Sequence, residues 1–196
     1  MRIEAHSLDK KGTYFLMTSV LVPRPIAWVG TRAATGVDNL APFSYFMGVS
    51  SDPPLVAISV ARGRRGALKD TCTNLLQTER CTISVVSAAL LEPMHASSAP
   101  HPPEVSEFDV LGLEVVDAGN GAPRPARARV AMECSLHSAQ DLGSTHLLVL
   151  RVTAYVLEDG LLVDGRVPVE RLEPVARLGG NYALLGEEIT LPPPKT

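Results

Sequence analysis

The sequence predicts a mainly β domain with some α, an antiparallel barrel with helices packed at its ends and seam. Three observations carry this. Short runs of β-branched and aromatic residues recur between Gly, Pro and Asp turns. One run, Arg129 to Ser138, alternates cleanly, with Val130, Met132, Cys134 and Leu136 on one face and Arg129, Glu133 and Ser135 on the other. Helical periodicity is confined to a few short stretches. With 196 residues, 45% of them hydrophobic, the chain can bury a sizeable core, so one domain over 1–196 is expected.

Taken in order, Asp9 caps a helix that runs to about Val20, weakened by Gly12. Pro23 and Pro25 stop it and set an extended entry. Ile26 to Arg32 reads as a strand, Ala33 to Gly36 as a turn, and Val37 to Phe46 as the returning strand. Pro42 lacks an N–H, so the return is an edge strand or carries a bulge. There the peptide groups of Leu40, Ala41 and Phe43 are free to face a ligand. Asp52-Pro53-Pro54 turns the chain into a strand over Leu55 to Val60.

A basic loop, Ala61 to Lys69, opens a helix over Ala67 to Thr78. Cys81 to Ser87 is a strand and Ala88 to His95 a short helix. The prolines of Ser97 to Ser106 mark an ordered surface excursion or lid. Glu107 to Leu113 is a short element docked by Phe108 and Leu111. After the alternating strand, Ala139 to Ser144 is a turn and His146 to Leu157 a long strand. Pro168 to Pro174 is a short extended piece. Leu191 to Thr196 is expected to be a frayed polyproline-like tail.

Composition narrows the function. A net charge of −3 argues against a broad nucleic-acid surface. No apolar run approaches a membrane span; Phe15 to Val22 follows Lys10-Lys11 as a short signal segment would, but acidic residues before it, polar Thr18-Ser19 and no A-x-A site argue against one. A cytoplasmic protein is expected. Cys72, Cys81 and Cys134 form no C-x-x-C pair and read as small buried hydrophobes. The alternation puts His137 and His146 on opposite faces, so no metal site is expected. No G-x-S-x-G occurs, and no side-chain acid, base or nucleophile stands out as catalytic.

The stretch from 24 to 59 concentrates the chemistry. It holds the one tryptophan, Trp28, with Phe43, Tyr45 and Phe46, beside Thr31, Asn39, Ser44 and Ser59. That mixture suits a flat, partly polar ring. Downstream, Arg62, Arg64, Arg65 and Lys69 gather at a helix start, where free N–H groups favour an anion. A solvated basic loop explains the same residues, and composition alone does not choose.

Arg24-Pro25-Ile26-Ala27-Trp28-Val29, Asn39-Leu40-Ala41-Pro42-Phe43-Ser44 and Ser50-Ser51-Asp52-Pro53-Pro54 resemble the flavin reductase-like, FMN-binding split-barrel family, near its flavoredoxin-like branch. Lys69-Asp70-Thr71 and Arg177-Leu178-Gly179-Gly180-Asn181-Tyr182 fit the same pattern, which spans roughly Tyr14 to Tyr182. Gly30 departs from it, standing where the pattern has serine. The resemblance implies a Greek-key split barrel binding FMN. It implies Lys69 and Thr71 as phosphate ligands, with Asp70 orienting the loop. Asn39, Leu40, Ala41 and Ser44 would line the ring edge, Thr31 and Ser59 would also contact the cofactor, and Trp28 and Phe46 would form its walls. Arg177 and Tyr182 would lie near the flavin, across a homodimer interface.

The implied activity moves hydride or electrons between NADH or NADPH, or a redox partner protein, and FMN. No GxGxxG fingerprint occurs, so nicotinamide nucleotide binding is expected to be transient. Two other readings stand beside it. One is a non-catalytic FMN-binding or redox-sensing module; the other is an FMN-dependent oxidase of a small organic substrate.

Overall fold

The computed structural model describes residues 1–192 and 194. Helix α1 (Lys10–Val20) precedes β1 (Ala27–Arg32) and β2 (Asp38–Phe43). Strands β3 (Phe46–Ser51) and β4 (Pro54–Ala61) follow, then α2 (Asp70–Thr78) and β5 (Arg80–Val85). Helices α3 (Leu91–Ala96) and α4 (Glu107–Val110) lead to two short strands, β6 (Val115–Asp117) and β7 (Pro123–Pro125). The long strands β8 (Val130–Asp141) and β9 (Thr145–Leu157) come next. Helix α5 (Val169–Leu172) and the hairpin β10 (Val175–Arg177) and β11 (Tyr182–Leu184) complete the order.

Seven strands form one antiparallel sheet in the order β2-β1-β5-β8-β9-β4-β3. Its two outer strands, β2 and β3, are joined by Ser44 and Tyr45 alone. In a flat sheet they would lie about 29 Å apart, whereas the Phe43 to Phe46 link spans at most about 11 Å. The sheet must therefore curl until its edges meet, which makes a split barrel. Register breaks at Gly48/Ser50, Glu133/Cys134 and Leu136/Ser138 supply curvature. The Ser59 N–H donates to the Tyr45 carbonyl at 2.9 Å and fastens the link to β4.

β1 is buried on both faces. Ala27 and Val29 point into the barrel with Ile58, Ile83 and Leu150, under the α2 residue Leu75. Trp28 points outward into a second core with Leu90, Met94 and Phe108. Position 30 is where β7 crosses: a Cβ on Gly30 would lie 2.0 Å from the Pro123 carbonyl oxygen. That explains glycine where the family pattern has serine; the position faces backbone. All three cysteines are free and buried. Among the described residues, no helix is long and apolar enough to cross a membrane.

Several expected elements are corrected. The returning strand ends at Phe43, because the chain there crosses to the opposite edge and starts β3. Helix α2 begins at Asp70, with Lys69 at its N-cap. Ala88–Leu90 is a 3-10 turn that runs into α3. The expected turn at 139–144 is shorter, since the β8–β9 ladder continues to Asp141 opposite His146. Gly143, at φ +81, makes the bend. The extended piece at 168–174 contains α5, because Pro168 loses nothing by lacking an N–H ahead of a helix start. Of the expected tail, residues 193, 195 and 196 lie outside the described residues.

Candidate functional site

Asn39 is the hub of a buried polar network beneath the β2 edge. Its Oδ1 accepts from Thr71 Oγ1 at 2.8 Å and from Thr31 Oγ1 at 3.3 Å. Its Nδ2 donates to Glu107 Oε2 at 3.0 Å, and the same oxygen accepts the Leu40 N–H at 2.9 Å. Asn74 Nδ2 donates to Thr31 Oγ1 at 3.1 Å. All five side chains are buried. A buried carboxylate is costly unless its lone pairs are met, and here two N–H groups meet them. The network locks β2, α2 and α4 into one geometry.

Above it lies a groove of about 360 Å³ between the start of α2, the Pro42 edge and the proline-rich excursion. Asn39, Ala41, Lys69, Thr71, His101 and Glu107 are among its walls. The amides of Cys72 and Thr73 both turn back to the Lys69 carbonyl. The Asp70 amide faces its own carboxylate, while that of Thr71 has no backbone acceptor among the described residues, which leaves it for an anion. Lys69 Nζ lies 5.9 Å from the centre of the Phe43 ring. Burial pushes the Asp70 carboxyl above its usual range, against the pull of its own backbone N–H, and the charge on Glu104 adds to the rise.

Two further hollows adjoin this groove. A small recess of about 170 Å³ shares Pro42 and Ser98 with it and is bounded by His95, Arg177 and Tyr182. A larger groove of about 760 Å³ shares Ser44 with the recess. Its walls are mostly apolar and come from the end of α1, from β3 and from β9. The three hollows share wall residues along Pro42 to Ser44. The antiparallel alternation explains why this edge is open. Ala41 pairs with Val29 and Phe43 with Ala27, so their amides lie in the ladder. Positions 40 and 42 turn outward, where proline's missing N–H costs nothing.

The residues singled out from sequence divide accordingly. Asn39, Ala41, Lys69 and Thr71 line the first groove; Phe46 and Ser59 line the large one; Arg177 and Tyr182 line the recess, and Ser44 borders the last two. Four expectations need correction. Trp28 is 0% exposed and its Nε1 donates to Ser97 Oγ at 2.9 Å, so it is a core residue and offers no wall. Thr31 is equally enclosed. The Leu40 N–H is spent on Glu107, and the ladder takes those of Ala41 and Phe43. The Thr71 hydroxyl proton is spent on Asn39, so Thr71 offers its amide in place of its side chain. Among the basic residues, Arg62 is committed to Asp141 at 2.7 Å. Sequence reasoning missed Glu107 and His95. Neither sits in a motif, and only the fold brings each to its hollow.

The model of the flavin reductase like domain matches residues 17–169. Nitrilotriacetate monooxygenase component B from Bacillus cereus superposes with a TM-score of 0.92 at 32% identity, covering 97% of this chain and 98% of that one. For the 2-nitrobenzoate 2-nitroreductase of Pseudomonas fluorescens the TM-score is 0.90 at 28% identity, over 99% and 96% of the two chains. An FMN-binding protein from Thermus thermophilus with bound p-hydroxybenzaldehyde gives 0.77 at 26% identity, over 98% and 100%.

Proposed function

The chain belongs to the flavin reductase-like family and is a flavin-dependent oxidoreductase; from that premise we propose that its flavin is FMN, held along the Pro42 edge with the phosphate at the start of α2. One observation carries this reading. The Thr71 amide, free of any backbone acceptor among the described residues, and the Lys69 ammonium open onto the same groove as the outward-facing Pro42 edge. A phosphate and a flat ring joined by a short chain need that juxtaposition. The donor set fits the group: a helix N-terminal amide and one lysine for the phosphate, and a carbonyl-bearing edge for the ring's N–H. The similarity to an FMN-binding protein of Thermus thermophilus points the same way.

When bound, FMN would supply the chemistry of hydride transfer, with NADH or NADPH as the source. The chain's own residues act by position. The Asn39–Glu107 network fixes the edge, Lys69 and the Thr71 amide fix the phosphate, and Phe46 and the apolar groove keep water from one side. No side-chain acid or base is assigned a role in hydride transfer. A second copy of this chain completes the site in this reading. Exposed apolar residues of α1 and β3, among them Met17, Val20 and Met47, border the large groove and would be covered by it. The recess beside Pro42 favours a second reading, turnover of a small organic substrate. The similarity to a 2-nitrobenzoate 2-nitroreductase supports it.

The experiment is anaerobic titration of the FMN-loaded protein with NADH and with NADPH, followed by the visible flavin spectrum. Bleaching by either nucleotide is expected. A spectrum unchanged by both would contradict the nucleotide-driven reaction and leave a binding module.

A further inference from the structure

Arg177 is a cation without an anion. It is half-buried on β10, yet no carboxylate among the described residues lies within ion-pair reach of its guanidinium. Its position is nonetheless fixed. The backbone is clamped to Arg24 by two hydrogen bonds, at 3.0 and 2.9 Å. The guanidinium lies 4.5 Å from the centre of the Tyr182 ring, its partner across the β10–β11 hairpin. The Tyr182 hydroxyl is in turn 2.9 Å from His95 Nδ1, and the two rings meet edge to face. When Nδ1 is the donor, the phenol's own proton is free to turn elsewhere.

These three side chains bound the 170 Å³ recess, whose walls include no carboxylate. At about 170 Å³ the recess is the smaller hollow, and it shares Pro42 and Ser98 with the groove assigned to FMN. A planar guanidinium, pre-oriented by stacking and flanked by a hydroxyl and an imidazole, matches a carboxylate better than it matches a neutral group.

We propose that the Arg177–Tyr182–His95 recess is a subsite for the carboxylate of a small organic acid, whose body then lies over the Pro42 edge. It rests on the FMN reading only for what the acid would meet there; the anion subsite itself is independent of it. Free phosphate shares the charge, so the test separates the two.

The test is calorimetric titration of the FMN-loaded protein with benzoate and with benzamide, its neutral isostere, alongside FMN titration of each flavin-free variant. Benzoate should bind at least about tenfold more tightly than benzamide, since one charge-assisted hydrogen bond is worth a decade or more. Arg177→Gln should erase that preference, Arg177→Lys should keep part of it, and Tyr182→Phe should weaken benzoate several-fold. FMN titration of the same three variants separates an acid subsite from a flavin contact. Inorganic phosphate should not displace benzoate. Equal affinity for benzoate and benzamide would overturn the proposal, as would an Arg177→Gln variant that retains the preference. Displacement by phosphate would also overturn it, in favour of a phosphate site. Loss of FMN binding in Arg177→Gln and Arg177→Lys alike would make Arg177 a flavin contact and overturn it too. Should the parent protein fail to bind FMN, which would count against the FMN reading, the benzoate and benzamide titrations are made on the flavin-free protein and the same outcomes decide this proposal.

Discussion

Glu107 shows how one side chain sets the site without being visible in the sequence. Its Oε2 takes the Asn39 amide and the Leu40 N–H from a strand 68 and 67 residues away. No local pattern encodes such a pair. Asn39 reads from sequence as a ligand contact; the structure engages its side chain as a strut. Removing the carboxylate strands two buried donors, each costing about 1–3 kcal/mol. Glu107→Ala should therefore lower unfolding stability by about 2–6 kcal/mol, less any part met by entering water. Glu107→Gln keeps an acceptor and should lose less. Urea denaturation of both variants measures this, and equal stability of Ala and parent would refute the strut. Gly30 teaches the converse lesson. Its departure from the family pattern was readable, but its cause, the crossing of β7, was not.

Elements governed by local chemistry were legible. Asp9 caps α1 as expected, its Oδ1 accepting the Gly12 N–H at 2.7 Å. Asp9→Ala should cost about 0.5–2 kcal/mol by the same denaturation assay; no change would show that α1 is held by packing alone. Pro42 correctly marked an edge strand, because a missing N–H excludes a central one. What failed was connectivity. Val37 to Phe46 looked like one strand because its β-favouring residues continue, and composition does not record that Ser44 and Tyr45 carry the chain between two sheet edges. The short strands β6, β7, β10 and β11 escaped for a related reason. Each is three residues long, too short for alternation to register.

At the scale of the molecule, mainly-β character was legible from composition and turn spacing, while barrel closure came from the family resemblance. The pairing partners are set by contacts between residues far apart in sequence, which periodicity does not see. The apolar outer face was likewise unread, because α1 looks like an ordinary amphipathic helix until its neighbours are known. Val20 is 65% and Met47 60% exposed, beside the large groove. A face of this kind borders a partner more often than water, and a homodimer is the expected state. Sedimentation at micromolar concentration should give a dimer mass for the parent and a monomer mass for Met17→Asp with Val20→Asp. A monomeric parent with FMN present would refute this.

The central claim is that the start of α2 holds the FMN phosphate. It is tested most directly by paired isotherms for FMN and riboflavin, on the parent protein and on Lys69→Ala, at matched ionic strength. Riboflavin carries the same ring without the phosphate. Loss of one charge-assisted hydrogen bond, worth about 1.5–3 kcal/mol, should weaken FMN by roughly tenfold to a hundredfold. Riboflavin affinity should barely change, and added salt should weaken FMN more than riboflavin. If Lys69→Ala weakens both ligands equally, or neither, the phosphate does not sit at the start of α2 and the assignment of the groove is wrong.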